Sequence, residues 1–412
     1  MDFIDIIDKV NKEKEQMFRF LREIIAIQSF DMNEGAVLQR IEQEMRSIGF
    51  DHIEKDSMGN LLGYIGHGKH LIAMDGHVDT VSFGDIANWT FDPFEGMEDE
   101  DTIGGLGSSD QKGGVAAMIF AARVIKELKM EDDYTLLVVC SVQEEDCDGR
   151  CWQYIIEEDG IRPEFVLLTE PTDGIAHNGQ KGRMTIRIKI PGESCHGSMP
   201  EKGVNAIYKT APVIKAIEEL NKNMTDDNVL GKGSVTISQI SSTAPSLCAV
   251  ADSCTIMLDR RLNMNETPDL AIEQLKKLPE IQESGAEVSV LLFDDPSYTG
   301  LEFPVEVGFP AWILDRSSDV CSAFVDTYER LFGENVEIKP FFGSTNGVAI
   351  MGKHHIPCII FGPGHGDQAH RPNERTWKED IVKSCAVYAA LPGIYVEKCQ
   401  SKKEIDVRNA DI

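Results

Sequence analysis

Five stretches of the chain place histidines or carboxylates where an apolar run stops or a helical pattern starts. "LIAMDG" runs into His77-Val-Asp79, "LLVVCSVQ" into Glu144-Glu145, and "FVLLTE" ends on Glu170. The glycine-rich "GLGSSDQKGG" carries Asp110 ahead of a helical pattern, and "PCIIFG" opens the loop "PGHGDQAHRPNE" with His365 and His370. Each has an ordinary reading alone: Asp110 as a helix cap, Glu170-Pro171 as an exposed turn, a histidine after a strand as surface. The glycine-rich loop lacks G-x-x-x-x-G-K-[ST], and its central acid would repel a phosphate. The joint pattern is what those readings leave over. Carboxylates 79, 110, 144, 145 and 170 crowded together would drive one another's pKa upward, and two divalent cations would neutralise most of that charge. Imidazole and carboxylate donors suit zinc, with cobalt or manganese as alternatives. His77 and Asp79, two apart on an extended chain, face the same side. The Asp79 carboxylate is therefore expected to accept from the far ring nitrogen of His77 and fix its tautomer.

Positioning these groups falls to the elements around them. "HLIAMDG", a helix over 113–128, "YTLLVVCSV", a short helix near 152–158 and "EFVLLTE" alternate, which predicts a mostly parallel sheet covered by helices on both faces. The strands are apolar throughout, as a doubly covered sheet requires. Open parallel sheets bind ligands beyond the carboxyl ends of their strands, where the five stretches fall. After Lys181 the texture changes. "RMTIRIKI" alternates polar and apolar residues, followed by a helix over 204–220, strands "SVTISQI" and "CAVADSCTIMLDRRL", a helix over 268–278 and "AEVSVLLF". That β-α-β-β-α-β order predicts a ferredoxin-like α+β domain at 182–293, inserted into an α/β domain built from 1–181 and 294–412. A helix near 319–332 and the strand "PCIIFG" resume the α/β pattern.

Composition narrows the partners. The 412 residues carry 69 acids against 40 bases, a net charge of −29, which disfavours nucleic acid and anionic lipid. No apolar run approaches the roughly 18–20 residues of a membrane span. The N-terminus is an amphipathic pattern without a basic n-region or cleavage site, and the ten cysteines are scattered. Reduced thiols, a cytoplasmic location and a small-molecule substrate are the expectations.

"MDGHVDTV", "GLGSSDQKGG", "QEED", "LLTEPT", "CHGSMPEKGVNAI" and "FGPGHGDQAHRPNE" together resemble, in order, the motifs of the di-zinc peptidases and amidohydrolases. That family includes acetylornithine deacetylase, succinyl-diaminopimelate desuccinylase, carboxypeptidase G and the aminoacylases. Within it the chain looks most like the selenium-metabolism-linked hydrolases, a label that names no substrate. The resemblance implies that Asp110 bridges two zinc ions, His77 and Glu170 completing one shell, Glu145 and His370 the other. It implies Glu144 as general base and Asp79 as orienter of His77. His196, in the H-G-S-x-P stretch, would reach the active site of a partner subunit, which implies a homodimer through the inserted domain. The implied reaction is hydrolysis of a linear amide, ureido or peptide C–N bond in a small N-acyl or N-carbamoyl amino acid or a dipeptide. A non-catalytic binding homologue is the competing reading, and loss of the base or of a ligand would announce it. "GLG" stands where relatives often carry Gly-Arg-Gly, and "GSTNG" puts Asn346 where many carry Gly-Thr-Asp. Substrate contacts are expected from Asn346, from Asn205 unless it caps the next helix, and from Arg261, with Arg260 leaving that alignment open by one residue.

Overall fold

The computed structural model describes residues 2–410. Four strands at the centre of a nine-stranded sheet run parallel, in the order Tyr134–Ser141, His70–His77, Phe165–Leu168 and Cys358–Ile360. Their residues are almost all buried, which accounts for apolar strands without alternation. Register aligns their ends: His77 lies opposite Ser141, and Leu168 opposite both Asp75 and Ile360. Everything that follows those residues in the chain therefore spills over one edge.

Antiparallel strands complete the sheet. Leu61–Ile65 pairs with Tyr134–Ser141, and His52–Lys55 lies outside it. On the other flank Ala176–Gln180 meets Cys358–Ile360, with Trp312–Ile313 antiparallel and Ile338–Phe341 parallel to it. Helix Gly113–Glu127 is nearly all buried and packs against Phe3–Ile25 and Lys378–Ala410. No helix among the described residues is long and apolar enough to cross a membrane.

The inserted segment is ferredoxin-like. Its antiparallel sheet has the order Ser234–Thr243, Ser253–Leu262, Gly182–Pro191, Glu287–Val290. Helix Ala206–Lys222 packs on that sheet, and its side chains share a separate apolar cluster that includes Ile186, Ile217, Leu258 and Leu275. The helix expected over 268–278 stops at Lys276 and a second begins at Pro279, since proline fits the first turn of a helix and not its interior. "AEVSVLLF" likewise divides, into Glu287–Val290 and a two-residue strand, Leu292–Phe293, that pairs with Val305–Glu306 on the way back to the main sheet.

Candidate metal centre

Asp110 is the centre of the arrangement. Its Oδ1 lies 3.1 Å from His77 Nε2, and its Oδ2 lies 3.4 Å from His370 Nε2. One carboxylate thus presents an oxygen to each of two imidazoles. His370 Nε2 also meets Glu145 Oε2 at 2.9 Å, and His77 Nε2 stands 3.8 Å from Glu144 Oε2. Glu170, two residues beyond the strand Phe165–Leu168, lines the same cleft.

The loop that carries Asp110 is tied down from the far end of the chain. Glu374 is buried, and its carboxylate accepts from the N–H groups of Gly107 (2.8 Å), Ser109 (2.7 Å) and Asp110 (2.9 Å). Gly107 has φ +81, and a Cβ there would sit 2.7 Å from Thr80, so this turn needs glycine. Lys112 is buried too. It donates to the carbonyls of Ile24 and Ile27, and burial pushes its pKa down to about 7. The ligand-bearing loops are therefore fastened to the first helix and to the "PNE" segment.

Electrostatics separates the members. Burial tends to raise Asp110, but the hydrogen bonds from His370 and His77 outweigh it and hold this carboxyl below its ordinary range. Hydrogen bonds to Asp110 and Glu145 lift His370 to about 10. His77 also lies well above its ordinary value: burial opposes protonation, yet Asp110, Asp79, Glu144 and Glu170 together prevail. Glu144, Glu145, Glu170 and Asp79 are all pushed upward, burial being the largest cause. Glu144 Oε1 and Asp79 Oδ1 are buried without a hydrogen-bond partner. Acids pushed toward neutrality, two of them with orphaned oxygens, form a site short of positive charge. Donor atoms of His77, Asp110 and Glu145 lie within 4.8 Å of one another. This donor set fits divalent cations of the zinc type.

The chain belongs to peptidase family M20/M25/M40. The family model matches residues 73–392. Protein YgeY of Escherichia coli K12, itself uncharacterized, is 52% identical over 94% of this chain and 96% of its own length. A probable succinyl-diaminopimelate desuccinylase of Staphylococcus epidermidis is 23% identical over 93% of this chain and 99% of its own. An M20 metallo-carboxypeptidase of Sulfolobus solfataricus shares the fold, with TM-score 0.72 at 17% identity over 92% of this chain and 99% of that one. Membership of this peptidase family makes the chain a hydrolase, and its donor set is of the metal-binding kind.

The site residues expected from sequence fall into two groups. The five metal-ligand candidates and Glu144 come together. Asp79 comes too, but its contact differs: the backbone carbonyl of Asp79 accepts from His77 Nδ1 at 3.0 Å, while the carboxylate stands 3.7 Å away. That carboxylate accepts instead from the N–H of Glu145 at 2.9 Å, joining two strand ends. Arg261 reaches the cleft, held by both oxygens of Asp259, and Arg260 turns into the insert against Glu266. Strand alternation thus settles the one-residue ambiguity.

Four others are elsewhere. Asn346 is buried beneath the cleft; its amide donates to Asp75 (2.9 Å) and Ser141 (3.2 Å) and its oxygen accepts from Gly149 (2.8 Å) and Cys151 (3.2 Å). It has no atom to spare for a substrate. Asn205 caps helix Ala206–Lys222 by accepting from Ile207 N–H at 2.9 Å. His196 is exposed on the inserted domain, bonded through Nδ1 to Ser198, and does not line the cleft of its own chain. His365 turns aside to stack on Trp377 at 3.8 Å.

Sequence reasoning missed Glu374, Lys112 and Arg183. Arg183 lines the cleft and meets Asp148 at 2.6 Å, and that aspartate holds it charged. Glu374, four residues after His370, could have been found from its motif. Arg183 sits directly opposite Arg261 on the neighbouring strand, a register no single sequence displays.

Proposed function

We propose that this M20 hydrolase cleaves a linear amide, ureido or peptide C–N bond in a small N-acyl or N-carbamoyl amino acid or a dipeptide. The observation that carries the reading is Asp110, whose two oxygens face His77 and His370 with Glu144 and Glu145 alongside. His77, Asp110 and Glu170 would hold one divalent cation and His370, Asp110 and Glu145 the other, zinc being the first choice and cobalt or manganese compatible. When bound, such a pair acidifies water and polarises a carbonyl.

The chain's own residues supply the rest. Glu144 is left outside both ligand sets, and its Oε1 has no other partner. Burial raises its pKa, Glu170, Asp148 and Glu145 add to the rise, and His77 opposes it. It is a stronger base than a free glutamate, suited to take a proton from the attacking water and return it to the departing nitrogen. Arg183 and Arg261 bring positive charge into a cleft of about 410 Å³ that also holds the acids Asp110, Glu144, Glu145 and Glu170. A substrate with a free carboxylate would complement them, its remainder lying against Phe341 and Phe342. His196 would serve the cleft of a second copy. Exposed Tyr208, Ile207, Ile240 and Leu247 on the same inserted domain support a dimer there.

Glu144→Ala tests the reading. Turnover of acylated, carbamoylated and dipeptide substrates should fall 10²–10⁴-fold, the usual worth of a general base, while metal content stays equal to that of the parent. Equal turnover in variant and parent would overturn the mechanism and favour a binding role.

A further inference from the structure

A second cluster of metal-type donors lies at the opposite end of the strand that delivers His77. His70 begins that strand, seven residues earlier, which places it about 23 Å from His77 at roughly 3.3 Å per residue. Glu164 immediately precedes the neighbouring strand, its N–H donating to Leu71 C=O at 2.7 Å. Cys399 and Tyr395 come from helix Lys378–Ala410. One nitrogen of His70, one oxygen of Glu164 and the Cys399 sulfur lie within 4.8 Å of one another.

Three features set this cluster apart from an ordinary surface ion pair. His70 is only 6% exposed, and its Nε2 is buried without a hydrogen-bond partner. Both Glu164 oxygens approach His70 Nδ1, at 2.9 and 3.0 Å, so the carboxylate is squared on the ring. Tyr395 OH donates to Glu164 at 3.1 Å and its ring packs on Phe165 at 4.7 Å, so rigid elements hold the group. Ligands around a tetrahedral zinc, at about 2.0–2.3 Å from the metal, lie roughly 3.3–3.8 Å apart, so donors already within 4.8 Å of one another need at most about 1 Å of adjustment. Half-exposed Cys399 and exposed Glu164 leave the cluster open to solvent.

We propose that His70, Glu164 and Cys399 form a separate mononuclear site for a zinc-type divalent cation, which clips the last helix to the amino ends of the central strands. Binding would release the thiol proton to solvent. Nitrogen, oxygen and thiolate together select a borderline cation over magnesium or calcium.

Cobalt(II) separates this site from the cleft, whose lining offers nitrogen and oxygen alone. Metal-depleted full-length chain titrated with cobalt should develop a near-ultraviolet sulfur-to-cobalt charge-transfer band. Cys399→Ser should lack the band and take up one cation fewer than the parent. Glu164→Gln, at an exposed position, should weaken the cobalt affinity read from the band at least tenfold. Absence of the band in the parent, its persistence in Cys399→Ser, or equal metal uptake by the two chains would overturn the assignment. None of these readouts depends on what happens at Asp110.

Discussion

Asn346→Asp changes a residue expected from its motif to touch substrate, and the structure sets its cost. The Asn346 amide donates to Asp75 at 2.9 Å, and both side chains are buried. Burial raises the Asp75 pKa, and the Asn346 hydrogen bond opposes that rise. The substitution loses a hydrogen bond to a charged group, about 1.5–3 kcal/mol. It also sets two carboxylates in contact; at an effective dielectric of about 20 their repulsion would reach about 6 kcal/mol. Taking up one proton caps that penalty at about 4 kcal/mol near pH 7. The two together make a destabilisation of about 5.5–7 kcal/mol the expectation, a large share of the 5–15 kcal/mol that holds a typical domain. Urea melts at fixed metal content measure it. The reciprocal double variant, Asp75→Asn with Asn346→Asp, restores one amide facing one carboxylate and should recover at least half the loss. A single variant within 1 kcal/mol of the parent, or a double variant no better than the single, would refute the account.

Two further outcomes are expected. Glu374→Gln keeps the shape but offers one oxygen to the three N–H groups around it, so Asp110 should lose its fixed position and metal affinity should fall 10–100-fold in chelator competition. Burial, with Asp79 nearby, pushes Glu34 up to about 8. The folded chain then holds a proton that the unfolded chain has released, so stability falls as pH rises from about 4.5 to 8, by at most about 1.4 kcal/mol per unit for this group. Glu34→Gln should flatten that slope by up to the same amount in melts taken across the window, and an unchanged slope would count against it.

The parts of the molecule that were legible in its sequence share one property: they are local. The all-apolar strands, the change to alternation after Lys181 and the residues that end each strand are written in runs of a few residues. Those runs were enough to bring Asp110, Glu145, Glu170 and His370 to one cleft with His77. Contacts made across the fold were not written that way. Asn346 was expected as a substrate contact from the motif its stretch resembles; its burial against Asp75 depends on a pairing 271 residues distant in the chain. Glu374 holds the Asp110 loop from 264 residues away. Asp79 shows the same limit at short range, for a spacing of two puts it beside His77 but does not decide whether carbonyl or carboxylate turns to the ring. Strand alternation did decide between Arg260 and Arg261 once the facing side of the inserted sheet was known. That sheet face also brings Arg183 beside Arg261, so the cleft draws its acids from the main sheet and two of its cations from the insert. A movement of one against the other would change the charge offered to a substrate without displacing a single metal-ligand candidate.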